Sequence, residues 1–317
     1  MIARVKKLWM VPGVFASVGA AWMLGSEPPP AAWDLVRVFS VALIFFLSGW
    51  TIPTRQLAAA VAGWKFQAFV FAISFLIFPA VVLAVLAAPD NALPDGLRTG
   101  MVALAVLPTT VTTCVALTRV AGGDEAAALV NAVASNLAGV ILSPALLILL
   151  LGRAGGIDAA AVFRELAGLV ILPLAAGQAA RYAVRRPGAR ASGAASVAVQ
   201  AAVLMILFVS AWKLLPAGIP INGGQAALLA GLCAGLHAAA FAGGWAGSRL
   251  LGLDRGGRIA AAFCGSQKSL ATGLPMLTVA FAGHPSAALV VLPLIFFHLI
   301  QLVADTFLAA AIHSKAA

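Results

Sequence analysis

Ten apolar stretches run the length of the chain, at residues 8–25, 35–52, 66–88, 97–118, 126–151, 159–180, 195–215, 225–251, 257–282 and 286–312. Most exceed the ~20 residues that a helix needs to cross a bilayer, so tilts or kinks are expected. Short polar or Pro/Gly-marked turns separate them, such as Pro28-Pro29-Pro30, Pro89-Asp90-Asn91 and Gly122-Gly123-Asp124. The longest connector, 181–194, carries Arg181, Arg185, Arg186 and Arg190, and no soluble domain is inserted. The pattern predicts an all-α membrane protein of ten transmembrane helices, a single polytopic unit over 1–317.

Two stretches break their own apolar pattern. The ninth holds Gly265-Ser266-Gln267-Lys268-Ser269 near its middle, with Gly273 and Pro275 beyond. The fourth holds Pro108-Thr109-Thr110-Val111-Thr112-Thr113. In hydrocarbon each unsatisfied polar group costs several kcal/mol, so such breaks survive only where protein buries them or a wet cavity meets them. Proline removes an N–H and disfavours helical geometry before it, while threonines can satisfy freed carbonyls. Spans four and nine are therefore expected to unwind near Thr109–Thr113 and Gly265–Ser269. Ten spans divide into two fives, and an odd set re-enters from the opposite side. That predicts an inverted repeat, repeat one over 1–153 and repeat two over 154–317, with interrupted members at matching places, a sequence signature of a midplane binding site. If the breaks cross, Cys114 and Cys264 should lie within about 20 Å, two helix diameters.

Composition supports the membrane reading: 62% of residues are hydrophobic and 9% charged. The net charge of +10 comes from basic residues scattered over short loops, which points to membrane orientation and away from nucleic acid. Fourteen of the twenty lie at the span ends on the N-terminal side, five at the opposite ends, and Lys268 within a span. That bias predicts both termini in the cytoplasm. Arg4, Lys6 and Lys7 before an apolar run suggest a signal peptide, but no clean small-x-small site precedes a soluble domain, so a first span is expected. The three cysteines fall in apolar spans without metal-ligand spacing, so neither a disulfide framework nor a metal site is expected, nor a cofactor.

Pro108-Thr109-Thr110-Val111, Leu117-Thr118, Ala121-Gly122-Gly123-Asp124-Glu125, Asn131-Ala132, Phe263-Cys264, Lys268-Ser269-Leu270, Gly273 and Pro275-Met276 resemble the bile acid:sodium symporter superfamily. Leu47-Ser48-Gly49, His298 and Gln301-Leu302 add to this. The whole chain looks like the divergent branch that includes the seventh vertebrate member and bacterial proteins. The resemblance implies a panel domain of spans 1, 2, 6 and 7, a core domain of spans 3–5 and 8–10, and crossing broken helices 4 and 9. It also implies a secondary transporter in a bacterial inner membrane, working by alternating access. In the sodium-coupled members, ligands come from spans three, four, five and nine. Against that pattern Gln267 keeps a glutamine, while Lys268 stands for an asparagine, Phe263 for a glutamate and Ser74 for a span-three glutamine. These departures speak against two-sodium coupling and leave sodium or a proton as alternative coupling ions.

Lys268 is the sharpest candidate. It lies about ten residues, roughly 15 Å, from either end of its span, too far to snorkel readily. It pairs with half-helix carbonyl ends, sits neutral, or awaits an anion. No acidic residue lies near mid-span, and Asp305 comes nearest. Thr109, Thr110, Thr112 and Thr113, with Asn131, Ser135, Asn136, Ser266, Gln267 and Ser269, complete the expected substrate and ion site, although such residues also serve as plain interhelical hydrogen bonders. His298, Gln301 and Ser74 are expected around it. A Ser266–Lys268 dyad for intramembrane hydrolysis lacks an oxyanion-hole motif. The expected partners are a small organic anion and the bilayer, with no protein partner identifiable; the rival reading is a non-transporting membrane regulator or sensor.

Overall fold

The structure is a computed structural model describing residues 10–24, 27, 29–51, 63–88, 93–151, 164–165, 167–183, 189–214, 221–282, 284 and 286–314. Arg4, Lys6, Lys7, Arg55, Arg153, Arg185, Arg186 and Lys315, and the expected repeat boundary, lie outside those residues. All described elements are helical: α1 Met10–Met23, α2 Ala32–Thr51, α3 Trp64–Leu86, α4 Asp95–Ala105, α5 Thr112–Val120 and α6 Glu125–Leu151. They continue with α7 Leu172–Ala183, α8 Ala189–Leu214, α9 Gly223–Gly247, α10 Arg255–Ser266, α11 Leu270–Ala280 and α12 Ala287–Ser314. Six of these stretches, in α2, α3, α6, α8, α9 and α12, are long and apolar enough to cross a membrane.

Helix starts follow capping chemistry. Asp254 accepts the Gly257 N–H at 2.8 Å at the head of α10. Asn222 and Gln225 bond reciprocally at the head of α9. One feature lies outside the predicted breaks: α3 passes through a π-turn at Ile73–Ile77, two residues before Pro79, which has no N–H to offer the Ser74 carbonyl five residues back. Such turns loosen the regular ladder and release backbone carbonyls.

The chain divides into two compact units. One comprises Met1–Ile52, Ala160–Pro220 and Leu274–Val291; the other comprises Pro53–Ala159, Ile221–Gly273 and Leu292–Ala317. In the first, α2 packs on α7 and α8, and α1 on α8. Trp33 stacks edge-on against Phe208 and Trp212, and Lys213 pairs with Asp34 at 2.5 Å. Glycines set the closest approach. A Cβ on Gly177 would lie 2.0 Å from the Phe46 carbonyl oxygen, and one on Gly49 2.2 Å from that of Leu174. Gly177→Ala and Gly49→Ala should therefore force α2 and α7 apart, costing about 1–3 kcal/mol as overpacking does. Thermal unfolding of solubilised protein checks this, with Gly193→Ala as control, because nothing lies within 4 Å of that position.

In the second unit α10 packs against α9, α6, α5 and α3. Phe263, Cys264, Cys114 and Phe66 belong to its apolar cluster. Here the interruptions are tighter than the sequence suggests. The chain leaves helix only between Ala105 and Thr112, and between Ser266 and Leu270. Thr112 and Thr113 already belong to α5, because Thr110 Oγ1 accepts the Cys114 N–H at 3.2 Å and holds its first turn. Gly265 and Ser266 still belong to α10. On the far side Ser269 Oγ accepts the Thr272 N–H at 3.2 Å and starts α11.

Candidate functional site

Backbone groups freed by two broken helices must find partners. Here the breaks supply one another. The Ser269 N–H donates to the Pro108 carbonyl at 2.8 Å, so the two interruptions meet main chain to main chain. Neighbouring helices satisfy the rest. From α6, Ser143 donates to the Val106 carbonyl at 2.6 Å, Ser135 Oγ accepts the Thr109 N–H at 3.3 Å, and Asn136 Nδ2 donates to the Thr109 carbonyl at 2.8 Å. Gly139 leaves the space into which the Pro108 ring packs, since a Cβ there would sit 2.8 Å from it. From α12, the Gln301 amide takes the Lys268 N–H at 2.8 Å and donates to the Lys268 carbonyl at 2.9 Å. His298 Nδ1 lies 2.9 Å from Gln301 Nε2, so this pair braces the break.

Lys268 is fully buried. Its Nζ donates to the carbonyls of Ala105 at 2.8 Å, Leu107 at 3.0 Å and Ser74 at 2.8 Å. Ala105 ends α4, where the helix dipole is negative, and Ser74 lies in the π-turn of α3. The Phe78 ring lies 4.4 Å from Nζ. Three carbonyl acceptors match the three N–H groups of an ammonium. Of the three states open to Lys268, the geometry fits pairing with half-helix carbonyl ends. Ser266 Oγ instead faces the Phe263 carbonyl at 3.5 Å, so the two side chains form no dyad.

Beside it runs a second network. Gln267 Oε1 accepts from Thr113 at 2.9 Å and from Thr110, and those two hydroxyls also contact each other. Gln267 Nε2 donates to Asp305 Oδ2 at 2.7 Å. Both ends of the amide are thus committed within the protein, and Gln267 acts as a hydrogen-bonding bridge. Asp305 Oδ1 meets His237 Nε2 at 2.8 Å, and His237 Nδ1 lies 3.3 Å from the Ser266 carbonyl. Asp305, the acid that the sequence places nearest mid-span, is wholly buried and tied to the residue before Lys268.

Thr272 donates to Asn136 Oδ1 at 2.6 Å and receives the Ser269 hydroxyl at 3.2 Å, a half-buried polar edge beside the crossing. Asn131 instead donates to Gln67 in α3 at 2.6 Å. Thr112 is exposed, while the hydroxyls of Ser74 and Thr109 are buried without a partner. Phe263 packs edge-on against Phe241 at 5.2 Å in an apolar cluster. Cys114 and Cys264, both free thiols, approach to 3.1 Å between sulfurs, well inside the expected 20 Å. Sequence reasoning named Asp305 only as the acid nearest mid-span and missed His237, Gln67 and Thr272; a lone histidine in an apolar helix is the trace the first of these leaves.

A helical membrane protein with two broken helices crossing around buried polar groups belongs to the world of secondary transporters, and the comparisons name the family. Residues 9–314 match the SBF-like CPA transporter family, and the chain belongs to it. Among its relatives is rat sodium/bile acid cotransporter 7, 27% identical over 99% of this chain and 95% of the relative. Escherichia coli putative symporter YfeH is 30% identical over 88% of this chain and 86% of its own. The uncharacterized Pseudomonas aeruginosa protein PA2026 is 32% identical over 92% and 88%.

Proposed function

We propose that the protein is a secondary active transporter of a small organic anion, working by alternating access around the crossing of the two breaks. The observation that carries this reading is the Ser269–Pro108 backbone contact, with Lys268 held in carbonyls released by α4 and the π-turn of α3. Soluble-protein packing has no need of such a construction in apolar helices. In this reading the chain forms ten spans in two inverted repeats, spans 1, 2, 6 and 7 as panel and 3–5 and 8–10 as core, with both termini cytoplasmic in a bacterial inner membrane. The substrate meets the partly exposed edge of Thr112, Thr113, Asn136 and Thr272. Lys268, buried and committed, contributes its charge from within.

Sodium dependence is expected to be weak. Phe263 lies among apolar side chains, Gln267 has no free oxygen, and Lys268 occupies a carbonyl set of the kind a hard cation seeks. The deciding experiment is a ligand-stabilisation screen of purified protein over carboxylate, sulfate and phosphate-bearing anions, with and without sodium. A binder at a hundred times its Kd adds about 2.7 kcal/mol of apparent stability. Hits are then tested for accumulation against a gradient in proteoliposomes; binding without accumulation would instead make the protein a regulator or sensor.

A further inference from the structure

We propose that Arg258, laid on the ring of Trp245, binds the phosphate of an anionic phospholipid where α9 ends and α10 begins. An arginine is always charged, and its five N–H groups seek oxygen acceptors. Elsewhere in the protein they find them. Arg37, Arg98, Arg181 and Arg255 each donate to a carbonyl in the last turn of a neighbouring helix, those of Thr278, Leu86, Trp50 and Ile312, at 2.9–3.0 Å. Arg119 pairs with Glu125. Arg258 does neither. Its Nε and Nη2 are buried, and neither has an acceptor among the described residues. Its guanidinium carbon lies 4.7 Å from the centre of the Trp245 ring, which attracts the positive charge through its π-face but supplies no oxygen. The acids at this end of the unit are engaged. Asp254 caps α10 through the Gly257 N–H, Asp124 accepts the Ala127 N–H at 2.9 Å at the head of α6, and Glu125 holds Arg119.

The surroundings point to a lipid headgroup as the acceptor. Trp245 lies in the last turn of α9, and tryptophan favours the boundary between hydrocarbon and water. Ala238 and Ala242 are exposed on the same helix, at spacings of four and then three residues from Trp245's face, a smooth apolar track for an acyl chain. Beyond the helix end Arg249 is exposed, and Leu250 and Leu251 turn apolar side chains outward, Leu250 at 91%. A soluble anion would leave this apolar surface bare. A phospholipid covers it and brings a phosphate to the guanidinium. The Arg258 side chain as a whole is only half-buried, so a small turn on the ring brings its N–H edge to the surface. Two parallel N–H groups then meet the phosphate, the two-pronged contact that a guanidinium favours. Arg249, in the turn that joins the helices, adds a looser second charge. Because α10 runs from Arg255 to Ser266 and ends at the break, a headgroup fixed at Arg258 holds the outer end of the helix that leads to the crossing.

Lipid binding here does not depend on the transporter reading, so it is tested without substrate. Full-length protein is delipidated in detergent and titrated with phosphatidylglycerol, phosphatidylcholine or inorganic phosphate, with thermal unfolding and native mass spectrometry as readouts. Phosphatidylglycerol should raise apparent stability and stay on the protein as a bound lipid, while the other two should do little. Arg258→Gln should weaken phosphatidylglycerol binding by at least about tenfold, the effect of losing a hydrogen bond to a charged group. Arg249→Gln should change it by about twofold, as expected of an exposed charge. Arg258→Lys should recover only part, because an ammonium lacks the planar fork. In the unmodified protein, phosphatidylglycerol nanodiscs should slow hydrogen exchange at the junction around 245–259 relative to phosphatidylcholine nanodiscs, which keeps the test intact should Arg258→Gln fail to fold. Equal losses in Arg249→Gln and Arg258→Gln would mean diffuse charge attraction and overturn the site. So would equal stabilisation by phosphatidylcholine, or exchange at the junction that ignores the lipid. Stabilisation by inorganic phosphate alone, lost in Arg258→Gln, would make the ligand a free anion and overturn the lipid assignment. Solute accumulation with no lipid preference would leave the transporter reading standing and remove this site.

Discussion

Lys268→Ala is expected to abolish solute accumulation and to lower the stability of the purified protein by several kcal/mol. The substitution takes away three charge-assisted hydrogen bonds and leaves the carbonyls of Ser74, Ala105 and Leu107 facing a void. Each orphaned backbone group at this depth costs several kcal/mol. Lys268→Arg should be little better, because a planar guanidinium cannot present three donors to a trigonal set built around one nitrogen. The vacated oxygens suit a hard monovalent ion, so sodium should restore part of the lost stability in Lys268→Ala while doing little for the unmodified protein. Thermal unfolding at matched ionic strength, sodium against choline, reads this directly. Sodium-dependent binding at low millimolar concentration in the unmodified protein, persisting unchanged in Lys268→Ala, would overturn the view of Lys268 as resident cation.

The second large effect is expected at Gln267. Gln267→Leu keeps the volume but strands Asp305 Oδ2 and the hydroxyls of Thr110 and Thr113 in one step. A buried polar group left unpaired costs about 1–3 kcal/mol, and more when it is charged. Transport should fall by at least about tenfold, because about 1.4 kcal/mol lost from the working state already has that effect. Gln267→Glu should be worse than its similarity suggests, since it sets a second carboxylate 2.7 Å from Asp305 unless a proton is taken up. Adding Asp305→Asn to Gln267→Leu should destabilise by clearly less than the sum of the single changes, by about 0.5–3 kcal/mol, because both remove the same contact. Additive losses would mean that the bridge carries little.

What could be read in the chain, and what could not, divides along physical lines. Apolar length and the proline–threonine and glycine–serine interruptions act locally, so both broken spans and the buried lysine were legible. Their limits were not, because Thr110 and Ser269 cap the following helices with side-chain oxygens and draw Thr112 and Thr113 into α5. The π-turn at Ile73–Ile77 leaves only the weak mark of Pro79 two residues beyond it, since a proline near the start of a helical stretch is also common in regular helices. Asp305 and His237 lie 68 residues apart on different helices, and only tertiary packing makes a pair of them. For the same reason Gln301, spaced as a packing residue beside His298, proved to bond the backbone of Lys268 on both sides.

The carbonyl set around Lys268 also bears on energy conversion. An ion that hops on at one face of a membrane and off at the other can do work, because its chemical potential differs between the two compartments. The nitrogen of Lys268 hangs on a side chain rooted in the break, so it cannot leave for either bath as a sodium ion does, and only its proton can be exchanged. While protonated it supplies electrostatic support, as a keystone supplies thrust, and no sodium gradient can be drawn through the carbonyls it fills. If sodium drives the concentration of solute, it has to arrive at another address in the molecule.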